Sequence, residues 1–94
     1  MRERLVAIPA RRQHGRMSDH SSLSAVAVAR LLARSGEARL IRERALISQP
    51  ELARHLGVSV STVWRWEAGK RSPRPDLAAR YLEALTALSE GGGR

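Results

Sequence analysis

The spacing of apolar residues predicts a chain built from helices. After residue 21, apolar side chains recur every three or four positions, and no stretch alternates apolar and polar residues as a half-buried strand would. Gly, Pro and Ser divide this part of the chain into five apolar-periodic segments. We expect helices over about 22–34, 37–45, 49–56, 59–68 and 76–88. The predicted fold class is therefore all-α.

Capping residues mark several of the predicted helix ends. Ser48 can cap the third helix, Pro50 is tolerated in its first turn, and Glu51 completes a capping box with Ser48. Gly57 is expected to end this helix, and Gly69 has the same place after the fourth helix. The pattern of stop and start signals thus separates two short helices by only a few residues.

The remaining helices are assigned faces from the same periodicity. In the second helix we expect Leu40 and Ile41 to point inward, with Arg39, Arg42 and Arg44 outward. The final helix carries its large apolar residues on one side, namely Leu77, Tyr81, Leu82, Leu85 and Leu88. We expect a loose tail over 90–94, so that residues 22–89 form one domain.

Residues 48–70 have the layout of a helix-turn-helix. An eight-residue helix, a turn beginning with Gly57 and a second helix follow one another, with Ala53 small at the expected helix crossing and Val58 as an apolar plug. Advancing the second helix by about 100° per residue puts Val63 and Trp66 on its inner face. The outer face then carries Ser61, Trp64, Arg65 and Ala68.

This outer face suits entry into the major groove of DNA. Small side chains allow a close approach, and Arg65 can form two hydrogen bonds with a guanine edge. Base-edge contacts are usually made by the first turn of such a helix, which here runs from Ser59 to Thr62. The sequence therefore predicts a double-stranded DNA-binding surface on helix 59–68.

Residues 36–88 resemble the Xre/Cro-repressor helix-turn-helix family. The match is carried by Ser48-Gln49, Leu52-Ala53, Gly57-Val58-Ser59, Val63, Trp66-Glu67, Gly69 and Pro73. The resemblance implies a compact bundle of about five helices and a transcription regulator, often a phage repressor, that binds operators as a homodimer. It implies base contacts by Ser59, Val60, Ser61 and Arg65. Phosphate contacts are implied for Gln49, Thr62, Lys70, Arg71 and Arg74, with Gln49 also helping to position Arg65.

The sequence departs from the family at three outer positions. Trp64 replaces a usually polar residue, Val60 lacks the usual amide or charge, and Ala68 replaces a residue that is often polar. Val60 can offer only an apolar contact, for example to a thymine methyl group. Trp64 has three open readings: contact with DNA, packing against the N-terminal arm or first helix, or exposure to solvent. Arg39 is a further candidate for a phosphate contact.

Residues 1–21 are interpreted as a basic N-terminal arm. Arg2, Arg4, Arg11, Arg12 and Arg16 surround a short apolar run, Leu5 to Ile8, which could pair as a strand. A flexible tail and an arm lying in the minor groove are the other readings. The formal net charge of +8 favours a polyanionic partner.

Other chemistry has little support in the sequence. Cys is absent, and the three His residues lack metal-ligand spacing, so we expect neither metal nor cofactor. No paired carboxylates, phosphate loop or nucleophile–base set predicts an enzyme, and no small-molecule ligand is expected. Without an apolar stretch of roughly 18 residues or a signal-peptide pattern, the expected location is cytoplasmic, on the nucleoid. The alternative function is a protein-interaction module, such as an antitoxin or a phage host-takeover factor.

Overall fold

Five helices make up most of the residues, 23–92, that this computed structural model describes. They are α1 (23–35), α2 (Glu37–Arg44), α3 (Gln49–Leu56), α4 (Val60–Glu67) and α5 (Pro75–Gly92). No strand occurs in this range, which confirms the all-α bundle. The predicted arm, including its strand at Leu5 to Ile8, lies outside the described residues.

The predicted start of α3 is confirmed in detail. Ser48 Oγ accepts a hydrogen bond from the Glu51 backbone N–H at 3.1 Å, and the Glu51 carboxylate accepts one from the Ser48 N–H at 2.8 Å. Hydrogen bonding by the Ser48 backbone N–H, and to a lesser extent by its side chain, lowers the pKa of Glu51 because it stabilises the ionised carboxylate. The capping box therefore fixes where α3 begins, directly after the four-residue loop 45–48 that follows α2.

Three successive helices end in the same hydrogen-bonded turn. One or two positions beyond the last residue of each helix lies a residue with positive φ: Leu46 at 60°, Gly57 at 74° and Gly69 at 73°. The following backbone N–H in each case reaches a carbonyl in the last helical turn, at 3.1, 3.0 and 2.9 Å respectively. Glycine adopts this conformation without strain, whereas the Cβ of Leu46 comes too close to the following carbonyl oxygen.

The core lies between α5 and the helix-turn-helix. Tyr81 and Leu85 of α5 are buried together with Leu56 and Val63. The ring of Trp66 packs on that of Tyr81, with centroids 4.8 Å apart and planes inclined by 35°. A smaller cluster fastens α1 to α5 and consists of Val26, Ala29, Ala78 and Leu82. Helix α5 therefore packs against the helix-turn-helix through one cluster and against α1 through the other.

The predicted faces of α2 are partly wrong. Leu40 is 44% exposed although it was expected inside, and Arg42 is only 7% exposed although it was expected outside. Ala38 and Arg42 lie one turn apart and share the inner face, with Ile41 half-buried beside them. Burial of Arg42 is tolerated because an acidic side chain from α4 pairs with it. Arg39 and Arg44 are exposed as predicted.

Helix α5 is longer than predicted. It runs to Gly92, whereas the sequence pattern predicts an end near Leu88 and a loose tail from residue 90. Ser89 and Glu90 do not break a helix, and Gly91 disfavours it by only about 1 kcal/mol. The glycine run therefore failed to end the helix at the expected place.

Candidate nucleic-acid interface

Helices α3 and α4 pack against each other in the predicted helix-turn-helix. Ala53 is buried at their contact, and Val63 of α4 is fully buried. Val58 in the turn is half-buried against the core, as expected of an apolar plug. Gly57 provides the left-handed conformation that the turn needs. These contacts hold α4 at a fixed angle to the rest of the bundle.

The exposed face of α4 is the one that the helical phase predicts. Val60, Ser61, Trp64, Arg65 and Ala68 are all exposed. On the opposite face Val63 and Trp66 are buried, so the assignment of Trp66 to the core is confirmed. Within residues 23–92, Arg65 has no ion-pair partner, and it is exposed.

Ser59 and Thr62 form the cap at the start of α4. Ser59 Oγ accepts a hydrogen bond from the Thr62 N–H at 3.1 Å and lies 2.9 Å from Thr62 Oγ1. Their hydroxyl groups therefore already have one partner each before any ligand binds. The base contact predicted for Ser59 and the phosphate contact predicted for Thr62 remain predictions.

A buried ion pair ties the C-terminal end of α4 to α2. Arg42 donates from Nε to Glu67 Oε2 at 2.6 Å and from Nη2 to Glu67 Oε1 at 2.8 Å, while Nη1 donates to the Ile47 carbonyl at 2.9 Å. The two side chains are 9% and 3% exposed. The hydrogen bonds to Glu67 raise the pKa of Arg42, against the opposing effect of burial. Such two-point geometry fixes orientation as well as distance.

Gln49 joins the same network from the first residue of α3. Its side-chain amide donates to Glu67 Oε1 at 3.0 Å. No hydrogen bond joins it to Arg65 among the described residues, so the expectation that Gln49 positions Arg65 has no direct contact behind it. Gln49 instead connects α3 to the end of α4, and its phosphate contact stays a prediction.

Tyr81 closes the inner side of this network. Its hydroxyl is buried and has no hydrogen-bond partner in the described part of the chain. Burial and the nearby Glu67 carboxylate both raise the pKa of Tyr81 above its ordinary value. Ionisation of the phenol is therefore disfavoured behind the ion pair.

The predicted anchoring residues follow α4 in a short loop. Lys70, Arg71 and Arg74 are exposed, whereas Pro73 between them is fully buried. Arg30 of α1 donates from Nε to the Pro73 carbonyl at 3.0 Å. The loop is thus tethered to α1 and directs three cationic side chains to solvent.

Arg39 and Trp64 lie on two sides of a shallow cleft between α2, the start of α3 and α4. The cleft is lined by both residues together with Gln49 and Ala68. Arg39 pairs with Glu43 on its own helix at 2.9 Å, and both side chains are substantially exposed. An exposed pair of this kind contributes little stability, so Arg39 remains available to an anion.

Sequence reasoning missed three positioning residues: Arg42, Glu67 and Arg30. The helical periodicity of α4 offered one signal, because it puts Glu67 close to the inner face beside Val63. A carboxylate buried there needs a cationic partner, which is Arg42. Nothing comparable indicated Arg30, whose partner is a backbone carbonyl 43 residues away.

These features define the class of protein. A helix-turn-helix whose second helix presents a free outer face is a DNA-binding unit. A family model described as "Helix-turn-helix domain" matches residues 35–90, so the chain belongs to this family. The match agrees with the Xre/Cro resemblance and leaves nearly all of α1 outside it. No curated protein and no solved structure matches the chain.

Residues 23–92 contain neither a helix able to span a membrane nor a cluster of metal-ligating side chains. No helix there combines the length and the apolar character that crossing a bilayer requires. In the same range, no three His, Cys, Asp or Glu side chains are grouped as metal ligands would be.

Proposed function

We propose that this chain is a sequence-specific regulator of transcription that reads the major groove with α4, most simply as a repressor of bacterial or phage type. The observation that carries the proposal is the outer face of α4, where Ser61 and Arg65 are exposed while Arg42 and Glu67 fix the helix from behind. A preorganised reading helix avoids the cost of ordering side chains on binding.

The surrounding charges support binding to the DNA backbone. The loop after the C-terminal end of α4 carries Lys70, Arg71 and Arg74. The cleft beside Trp64 is lined by Arg39 and Gln49. Phosphate contacts fix register, whereas Arg65, Ser59, Val60 and Ser61 would specify sequence. About five phosphates per subunit give a slope near −4.5 for log K against log salt concentration.

The decisive experiment is selection of bound duplexes from a random pool. We expect a defined consensus, with two half-sites about one helical turn apart if a homodimer binds. Arg65→Ala should weaken the free energy of DNA binding by about 1–3 kcal/mol and relax the sequence preference at one base pair, as expected for a guanine contact. The matched control is Arg80→Ala on α5, which removes the same charge from an exposed helical position. Binding that ignores sequence at every salt concentration would refute the proposal.

Lys70→Ala separates anchoring from reading. We expect weaker binding to all sequences, a salt slope reduced by about 1 and an unchanged consensus. A changed consensus would contradict the assignment of Lys70 to phosphate.

A protein-interaction module is the second candidate, and α1 provides the observation that favours it. Leu23 and Leu31 are exposed on this helix, most of which lies outside the family match. Under this alternative, a stoichiometric protein partner would be recovered, and Arg65→Ala would leave that complex intact. Either role is that of a non-enzymatic protein of the cytoplasm, and the regulator would act on the nucleoid.

A further inference from the structure

The outer face of α4 is divided into two parallel rows. Val60, Trp64 and Ala68 are spaced by four residues and form an apolar row. Ser61 and Arg65 form a polar row beside it. Trp64 and Ala68 line the cleft shared with Gln49, whereas Arg65 does not, so the apolar row lies between the cleft and the polar row.

The apolar row is not needed by the core. Trp64 is 50% exposed and Val60 is 41% exposed, while the core positions on this helix are filled by Val63 and Trp66. Both large apolar side chains are thus partly exposed on the outer face of α4 in the part of the chain that the structure describes. Their surface is therefore available to a ligand that passes over α4.

The position of the row decides what that ligand is. Any duplex contacted by Ser61 and Arg65 must also pass over the neighbouring row on the same helix face. Lys70, Arg71 and Arg74 hold the charge that a duplex needs next to this face. Among the base edges in the major groove, the apolar group is the C5-methyl of thymine.

We propose, resting on the proposed function, that the row formed by Val60, Trp64 and Ala68 packs against thymine methyl groups and makes this protein selective for thymine beside the base pair read by Arg65. The indole supplies a broad rigid surface, and the small Ala68 leaves room for the duplex at the end of the helix. Arg65 would thus read a guanine by hydrogen bonds, while the adjacent row reads shape and methyl groups.

The test uses the duplex obtained by selection and the full chain. Each thymine is replaced singly by deoxyuridine, which keeps base pairing and removes only the methyl group. Fluorescence anisotropy at constant salt then gives the affinity of each duplex. We expect one or two positions at which uracil weakens wild-type binding by about fourfold, the value of one buried methyl group.

Variants assign the effect to the row. Trp64→Ala and Val60→Ala remove exposed surface and leave the core intact, and at least one should bind the thymine and uracil duplexes equally. Leu31→Ala, which truncates an exposed apolar residue on α1, is the matched control and should keep the thymine preference.

Three results would overturn the inference without affecting the proposed function. They are indifference of the wild type to uracil at all positions, a selected site without thymine, and a thymine preference that survives in both row variants. A fourth result that would overturn the inference comes from sedimentation without DNA. If the wild type is a dimer that Trp64→Ala converts to a monomer, the apolar row packs against a second copy of the chain. Failure to select any consensus would instead refute the proposed function itself.

Discussion

Removal of Arg42 should test whether the buried ion pair holds the recognition helix. Arg42→Met keeps a long side chain at this position but removes every hydrogen bond that Arg42 donates to Glu67 and to the Ile47 carbonyl. Glu67 would then keep only the bond from Gln49, with its carboxylate still almost fully buried. The variant therefore measures the cost of a buried charge without its main partner.

The expected cost is large for a domain of this size. Breaking a buried pair by removing one partner typically costs about 3–5 kcal/mol. A folded unit of residues 23–92 should have a total stability of about 4–10 kcal/mol, from about 0.05–0.15 kcal/mol per residue. Arg42→Met should consequently lose a third or more of the free energy of unfolding. In the double variant Arg42→Met/Glu67→Leu no charge remains buried, and most of the loss should be recovered.

Urea denaturation followed by far-UV circular dichroism measures these differences. Arg39→Met is the matched control, because it breaks the exposed pair with Glu43 and should cost about 0.3–0.5 kcal/mol. The reasoning is refuted if Arg42→Met costs no more than Arg39→Met. It is equally refuted if the double variant is as unstable as Arg42→Met alone.

Three further changes probe the ends of helices and the core. Leu46→Gly should stabilise the fold by about 1 kcal/mol in urea denaturation, since Leu46 is 87% exposed and pays for a positive φ; an unchanged midpoint would contradict this. Tyr81→Phe should leave stability equal or higher at pH 7, because it removes a buried hydroxyl without a partner. Since the pKa of Tyr81 is raised by folding, wild-type stability should be complete below about pH 10 and fall above it, and Tyr81→Phe should fall less; parallel pH profiles would disprove this. Ser48→Ala should cost about 1 kcal/mol, because it removes the hydroxyl that accepts from the Glu51 N–H, and an unchanged stability would argue against the cap. The pKa of Glu51 should return only part of the way to its ordinary value in an NMR titration, because the backbone N–H at position 48 is kept.

The helix ends could be predicted because their causes are local. The capping box joins Ser48 to a residue three positions away, and Gly57 and Gly69 close turns within five residues of their partners. All the information needed for such a turn is therefore visible in a short window of sequence. Leu46 closes the same kind of turn, but a leucine in the sequence does not predict a left-handed conformation.

The inner face of α2 could not be predicted in the same way. Whether Arg42 or Leu40 points inward depends on Glu67, which lies 25 residues further along the chain. Hydrophobicity alone favours Leu40, and only the presence of a buried carboxylate reverses the choice. The same limit applies to the polar surface of α4: its phase fixes which residues are exposed, whereas their base contacts depend on a duplex.

The side chain of Gln49 can make both the phosphate contact that the family resemblance implies and the internal hydrogen bond that the structure contains. The family resemblance implies that Gln49 contacts a phosphate, while in the structure its amide donates a hydrogen bond to Glu67. An amide nitrogen carries two N–H donors, and the bond to Glu67 uses one of them. The second donor is therefore free for a phosphate without any loss of the internal bond. A phosphate held there would be connected through Glu67 to Arg42, so that docking of the backbone and placement of α4 depend on the same buried pair.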